Sequence, residues 1–205
     1  MKYISTVVIV LALMGLGAII YAWSGAYNIA ATEPHWDMTA SFIELLRDRS
    51  IAVHSSDIQA PNLDDPKLKE VGVLHYHEMC RLCHGAPGYR REEFAEGLYP
   101  SPPSMTSGSL QSELGKAEIY WIVRHGVKLT GMPAFGPTHT EEQLWGLVAF
   151  VEDVPRTAPE QYRQMVMKEG GMGPGHGHGE TSEEETQVHG HSEPSDHGKA
   201  EEQRQ

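Results

Sequence analysis

An all-α fold is what this sequence predicts, on three observations. Capped stretches with apolar residues three and four apart recur along the chain, whereas no run alternates apolar and polar residues as a half-buried strand would. Gly and Pro gather between those stretches, as in Tyr99-Pro100-Ser101-Pro102-Pro103, where ring-locked backbone excludes both helix and central strand. The chain also opens on almost uninterrupted hydrocarbon and closes on almost none. The expected architecture is a small helical domain with an N-terminal transmembrane helix and a disordered tail.

Each element has its own justification. Ile4 to Ala22 is a run of 19 uncharged, mostly aliphatic residues, close to the roughly 20 that cross a bilayer. Lys2 precedes it, and Tyr21 and Trp23 close it with interfacial rings, which favours a cytoplasmic N-terminus. Residues 1–23 are thus read as an anchor or uncleaved signal. Ser24-Gly25-Ala26 and Ile29-Ala30-Ala31 also pass as small-residue cleavage sites, so a removed signal peptide is the other reading. Residues 24–60 read as a linker with a short amphipathic helix capped by Asp37. There Met38, Phe42, Leu45, Leu46 and Arg49 share a face, which either packs on the next domain or docks near the membrane.

The folded domain is expected over 61–159. Asp65-Pro66 caps a helix running through Leu68, Val71, Gly72 and Tyr76 to Cys80. A second helix is predicted from about Leu114 to His125, stopped by Gly126. A third starts at the capping box Thr140-Glu141-Glu142-Gln143, carries Leu144, Leu147, Val148 and Val151, and ends before Pro155. Residues 160–205 are expected to be a disordered acidic tail. From Gly170 on it holds eight acids, two bases, five histidines and no aromatic residue, too little to bury.

Acidic residues number 28 against 16 basic, a net charge of −12 in 205 residues. A polyphosphate ligand would be repelled, which excludes nucleic-acid binding. The two cysteines, Cys80 and Cys83, lie in Cys-Arg-Leu-Cys-His and cannot build a disulfide framework. Cys80-x-x-Cys83-His84 is the attachment pattern for one c-type haem: two thiols a helical turn apart add to the porphyrin's vinyl groups, and the next imidazole reaches the iron. A thioredoxin-like dithiol would need a βαβ context, which is absent. A structural zinc would need His75 and His77, which as near neighbours on a helix point to different sides.

The sixth iron ligand separates a carrier from a catalyst or gas sensor. Met105, Met132, Met165, Met167 and Met172 follow His84 in the chain. Met132 stands between Gly131 and Pro133, a setting poor for core filling and good for presenting a thioether across a haem edge. Met105 and His125 are the runners-up, and an ordinary core methionine is the plain alternative.

These residues resemble the class I c-type cytochromes over roughly residues 64–156. The resemblance implies a cytochrome c-like helical domain around a covalently bound haem. Gly72 and Tyr76 are similar to the family's Gly and aromatic residue where the first helix crosses the last, with Leu147 and Phe150 on the other side. It further implies axial ligands His84 and Met132, a haem-propionate bond from Thr130, and a carbonyl from Pro102 or Pro103 holding the His84 ring. The soluble mitochondrial members carry a lysine ring that is missing here: Lys128 alone lies near Met132, flanked by apolar Pro133, Ala134 and Phe135. The outline is closer to membrane-tethered bacterial monohaem cytochromes.

The function expected is a non-enzymatic, single-pass electron carrier with its haem domain in the periplasm. It would serve membrane-bound or periplasmic redox proteins of a respiratory chain and bind no small-molecule substrate. Two other readings stand beside it: a haem enzyme or gas sensor with a displaceable Met132, and a metal-handling protein. In the tail, His176, His178, His189, His191 and His197 alternate with Gly and acids. That pattern suits weak binding of Cu, Ni or Zn, and equally suits a merely solvated tail.

Overall fold

The computed structural model describes residues 2–170. Among these, helices and turns form and strands do not; Ala86 and Tyr89 only exchange one pair of backbone hydrogen bonds across a tight turn. Helix α1 is Lys2–Trp23 and α2 is Asp37–Ser55. The apolar span Tyr3–Trp23 is long enough to cross a bilayer, and none of its most apolar stretch is buried against the rest of the protein.

Helix α3, Pro66–His75, starts as its sequence dictates: Pro66 needs no amide partner, and Asp65 Oδ1 accepts from the Lys67 amide at 3.0 Å. It does not stop at Cys80. A π-helical turn over Tyr76–Cys80 leads into α4, Arg81–His84, with the Arg81 amide donating to the Tyr76 carbonyl five residues back. Such widened turns accommodate one extra residue and gather at functional sites; here the turn ends on Cys80 and delivers Cys83 and His84.

After the Pro-rich loop come α5, Ser109–Glu113, and α6, Lys116–His125. The helix expected from about Leu114 is α6, which starts two residues later because Leu114 is extended and Gly115 is its N-cap, the Gly115 amide donating to Glu118 Oε2 at 2.8 Å; the short α5 before it was not expected. Helix α7, Glu141–Asp153, has the predicted box: the Thr140 amide donates to Gln143 Oε1 at 2.8 Å and the Gln143 amide to Thr140 Oγ1 at 3.3 Å.

The core sits where α3 crosses α7. Val73, Tyr76, Leu144, Leu147, Val148 and Phe150 are buried there, with the Tyr76 and Phe150 rings edge to face at 5.2 Å. The approach is backbone on backbone: a Cβ on Gly72 would lie 1.9 Å from the Gly146 carbonyl oxygen. Gly146 is the half of this contact that sequence reading missed, although a glycine inside a helix in Trp145-Gly146-Leu147 was its signal. Lys69 Nζ and Asp153 Oδ2, 2.5 Å apart, tie α3 to the far end of α7.

Two expected boundaries are corrected. Residues after 159 do not begin a tail, because Pro159–Lys168 forms α8 with Tyr162 and Val166 buried in the core. Pro159 at its first position and Tyr162, Met165 and Val166 at helical spacing are the sequence signal that was overlooked. Tyr162 Oη is hydrogen-bonded to His77 Nδ1 at 2.9 Å, and Lys168 pairs with Glu70 of α3. The segment 24–60 is likewise more than a linker with a short helix: α2 runs 19 residues, and its Ile51 and Ser55 are buried. Tyr27, His35 and Tyr99 form a clasp, with the His35 amide donating to Tyr99 Oη at 3.0 Å and Tyr27 Oη 2.7 Å from His35 Nδ1.

Candidate haem site

Cys80, Cys83 and His84 come to the site on the continuous α3–α4 rod, so the helix crossing that fixes α3 also fixes them. Cys80 packs against the core, and both thiols are free of disulfide bonding. Burial, with Cys83 adding to it, pushes the Cys80 thiol up to about 12. Burial also raises Cys83, against the pull of nearby Arg91. A dithiol redox couple needs an accessible thiolate, which this environment disfavours.

His84 is buried. Its Nδ1 lies 2.8 Å from the Pro103 carbonyl oxygen, an acceptor only, so Nδ1 carries the proton and Nε2 the lone pair. Of the two prolines the resemblance left open, Pro103 makes the contact. Burial lowers the His84 pKa, the Pro103 bond opposes that, and Arg91 lowers it further. The ring is held neutral and in the tautomer a metal ligand needs. Tyr76, whose hydroxyl burial keeps protonated, donates to the Gly85 carbonyl at 2.6 Å and so pins the residue after His84.

The Met132 loop crosses the end of α6. The Val127 amide donates to Met132 O at 3.2 Å, and the Phe135 amide to Val123 O at 3.1 Å. Gly126 permits this: it has φ 66°, and a Cβ there would meet Met132 O at 2.8 Å and Pro133 C at 2.7 Å. Met132 is half-buried against the core. Thr130 closes the loop from inside, donating to Val127 O at 2.7 Å and accepting from the Met132 amide at 3.1 Å. Donation to a propionate, the part the resemblance implies for it, would require that hydroxyl to turn outward.

Leu129 was not singled out by its sequence. It stands at φ 62°, a conformation a leucine rarely adopts, and is 85 % exposed. With exposed Pro133 and Ala134 it gives the Met132 loop an apolar rim.

The other candidates lie elsewhere. Met105 is buried in the core, and His125 is exposed on α6 with its ring 5.1 Å from Trp121. His75 faces His139, with ring centroids 5.4 Å apart, whereas His77 faces Tyr89 and Tyr162. Among the described residues no three His, Cys, Asp or Glu side chains gather to hold an ion. His176, His178, His189, His191 and His197 lie outside the described residues.

Two thiols one turn apart, a buried imidazole with its Nε2 reserved, and an all-helical shell crossed at Gly72 and Gly146 define a class I c-type cytochrome. Residues 68–151 match the family described as cytochrome C oxidase, cbb3-type, subunit III, which supports a class I c-type cytochrome domain over this stretch. No curated protein matches the chain. The donor set fits one c-type haem: Cys80 and Cys83 would be its attachment points and His84 Nε2 is free to bind its iron.

Proposed function

We propose that this chain is a membrane-tethered periplasmic electron carrier using one c-type haem with His84 and Met132 as axial ligands. The observation that carries the reading is the His84 ring, buried and locked by Pro103 so that Nε2 alone is free to bind iron, directly after the two attachment thiols. When bound, the haem supplies a one-electron ferric–ferrous couple, and methionine ligation raises its potential relative to bis-imidazole iron.

The residues divide the work. His84 cannot swing away without breaking the Pro103 bond, so its ring would keep one orientation toward a bound haem. Gly126, Thr130 and the backbone bonds to Val123 and Val127 hold the Met132 loop in place, and its thioether on the iron would leave no open position for oxygen or peroxide. Leu129, Pro133 and Ala134 exclude water beside that loop and offer an apolar landing for a redox partner. Helix α1 spans the cytoplasmic membrane and keeps the domain on its outer face. The donor is a quinol- or substrate-oxidising membrane complex, and the oxidase named in the family's description suggests the kind of acceptor.

Met132→Ala tests the ligation. The ferric protein is expected to show the weak thioether-to-iron charge-transfer band at the edge of the near infrared, and the variant to lose it and bind carbon monoxide when reduced. A wild-type ferrous protein that takes up carbon monoxide freely would replace the carrier reading with that of a sensor or haem enzyme.

A further inference from the structure

Helix α2 has two faces. One, with Ile51 and Ser55 buried, turns toward the haem domain, and the His54 and Trp121 rings meet at 5.8 Å. The other carries Met38, Phe42, Leu45, Leu46 and Val53, spaced so that all five share one stripe. Each is between 54 % and 82 % exposed. Five large side chains uncovered on one face make a patch comparable with the about 300–600 Å² that is the largest on a typical monomer and is often functional.

What covers it follows from where α2 begins. Trp36, the residue before the helix, packs on Tyr21 in the last turn of α1, with ring centroids 6.2 Å apart, and on Tyr27 at 5.3 Å. Tyr21 stands in the last turn of the apolar span Tyr3–Trp23, so it marks the depth of the lipid headgroups. The first turn of α2 is therefore held at that depth. Trp23, Ile29 and Trp36, between the body of α1 and that of α2, are further exposed apolar groups.

We propose that α2 is an interfacial helix, lying along the outer membrane surface with Met38, Phe42, Leu45 and Leu46 inserted at the headgroup–acyl boundary. The inference rests on the reading of α1 as a membrane span. Arg49 sits within the stripe and reaches the headgroups past its own apolar stem. The helix carries Asp37, Glu44 and Asp48 against Arg47 and Arg49, a net charge of 2 − 3 = −1. Insertion is thus driven by apolar area, and anionic lipid adds nothing to it. Because α2 also packs on α6, and the Tyr27–His35–Tyr99 clasp joins the same segment to the Pro103 loop, an inserted α2 holds the haem domain in one orientation to the membrane. Partner search then becomes two-dimensional.

Cys80 and Cys83 are the only cysteines and both are taken up by haem attachment, so one introduced cysteine carries a unique label. Bimane is placed at Leu13→Cys, Phe42→Cys, Leu46→Cys or Asp48→Cys in full-length holoprotein reconstituted in phosphatidylcholine vesicles. Emission is compared between ordinary and acyl-brominated phosphatidylcholine and under aqueous iodide; the haem's own quenching cancels in each ratio. The expected result is quenching by brominated lipid about two-fold or more at positions 13, 42 and 46, with iodide reaching position 48 alone. If position 13 is lipid-quenched but 42 and 46 respond to iodide like 48, the interfacial helix is refuted and the anchor stands. If 42 and 46 are shielded from both quenchers, a protein or a second copy covers the stripe and the proposal is equally refuted. A label at position 13 untouched by brominated lipid, or lost with a cleaved N-terminus, overturns the anchor and α2 insertion together.

Discussion

Replacing Gly72 by alanine asks the α3–α7 crossing to hold an atom for which it has no room. The new Cβ would stand 1.9 Å from the Gly146 oxygen, where real Cβ contacts essentially never fall below 3.0 Å, so the two helices must part by about 3.0 − 1.9 = 1.1 Å. Both sides of the clash are backbone, and no side chain can turn aside. A gap of about 0.5–1 Å forfeits a quarter to a half of a dispersion contact. At this crossing it falls on Val73, Tyr76, Leu144, Leu147 and Phe150, all essentially buried. Overpacking costs typically about 1–3 kcal/mol, and more where relaxation is blocked, so about 3 kcal/mol is a lower bound here. At about 4–8 °C per kcal/mol for a domain of this size, Tm of the holoprotein should fall by about 12 °C or more. Gly146→Ala is the internal control: its Cβ would meet Leu68 O at 2.8 Å, a parting of only about 3.0 − 2.8 = 0.2 Å, and should cost about 1 kcal/mol. Thermal unfolding followed by far-ultraviolet circular dichroism reads both. A Gly72→Ala protein within about 1 kcal/mol of wild type, or a Gly146→Ala protein that is the less stable of the two, would refute the backbone-contact reasoning.

Tyr162→Ala should destabilise the domain by about 3–5 kcal/mol, as for a fully buried aromatic, and Tyr162→Phe by about 1 kcal/mol through loss of the His77 bond; guanidinium unfolding separates them. Burial, reinforced by Arg81, lowers the His77 pKa from 6.5, so the unfolded chain takes up this proton first. The associated stability is present above pH 6.5 and is lost as the pH falls below it toward the depressed folded value. His77→Gln should flatten that part of the stability–pH curve, and an unchanged slope would assign the dependence to another group. Deleting residues 171–205 should leave the visible spectrum and midpoint potential of metal-free protein unaltered, since among the described residues the last helix bonded into the core ends at Lys168.

Much of the fold was legible because its signals are local. Asp65-Pro66 and Thr140 to Gln143 satisfy their own helix ends within three residues, and Cys80-x-x-Cys83-His84 is a covalent pattern whose spacing is its chemistry. The Gly-Met-Pro setting of Met132 likewise marks a loop from its own backbone constraints. Other features depend on partners far along the chain, and these only the tertiary structure decided. Pro103 rather than Pro102 meets His84 because the loop between them, with no repeating geometry, sets which carbonyl arrives. Tyr162 looks like part of a polar tail until α8 folds onto His77, 85 residues earlier. The apolar stripe of α2 reads in sequence as either a core face or a membrane-side docking face, because periodicity reports that a helix has an apolar side but not what that side meets. It is exposed because α6 packs on a different side of α2, and because Trp36 is held against the end of α1.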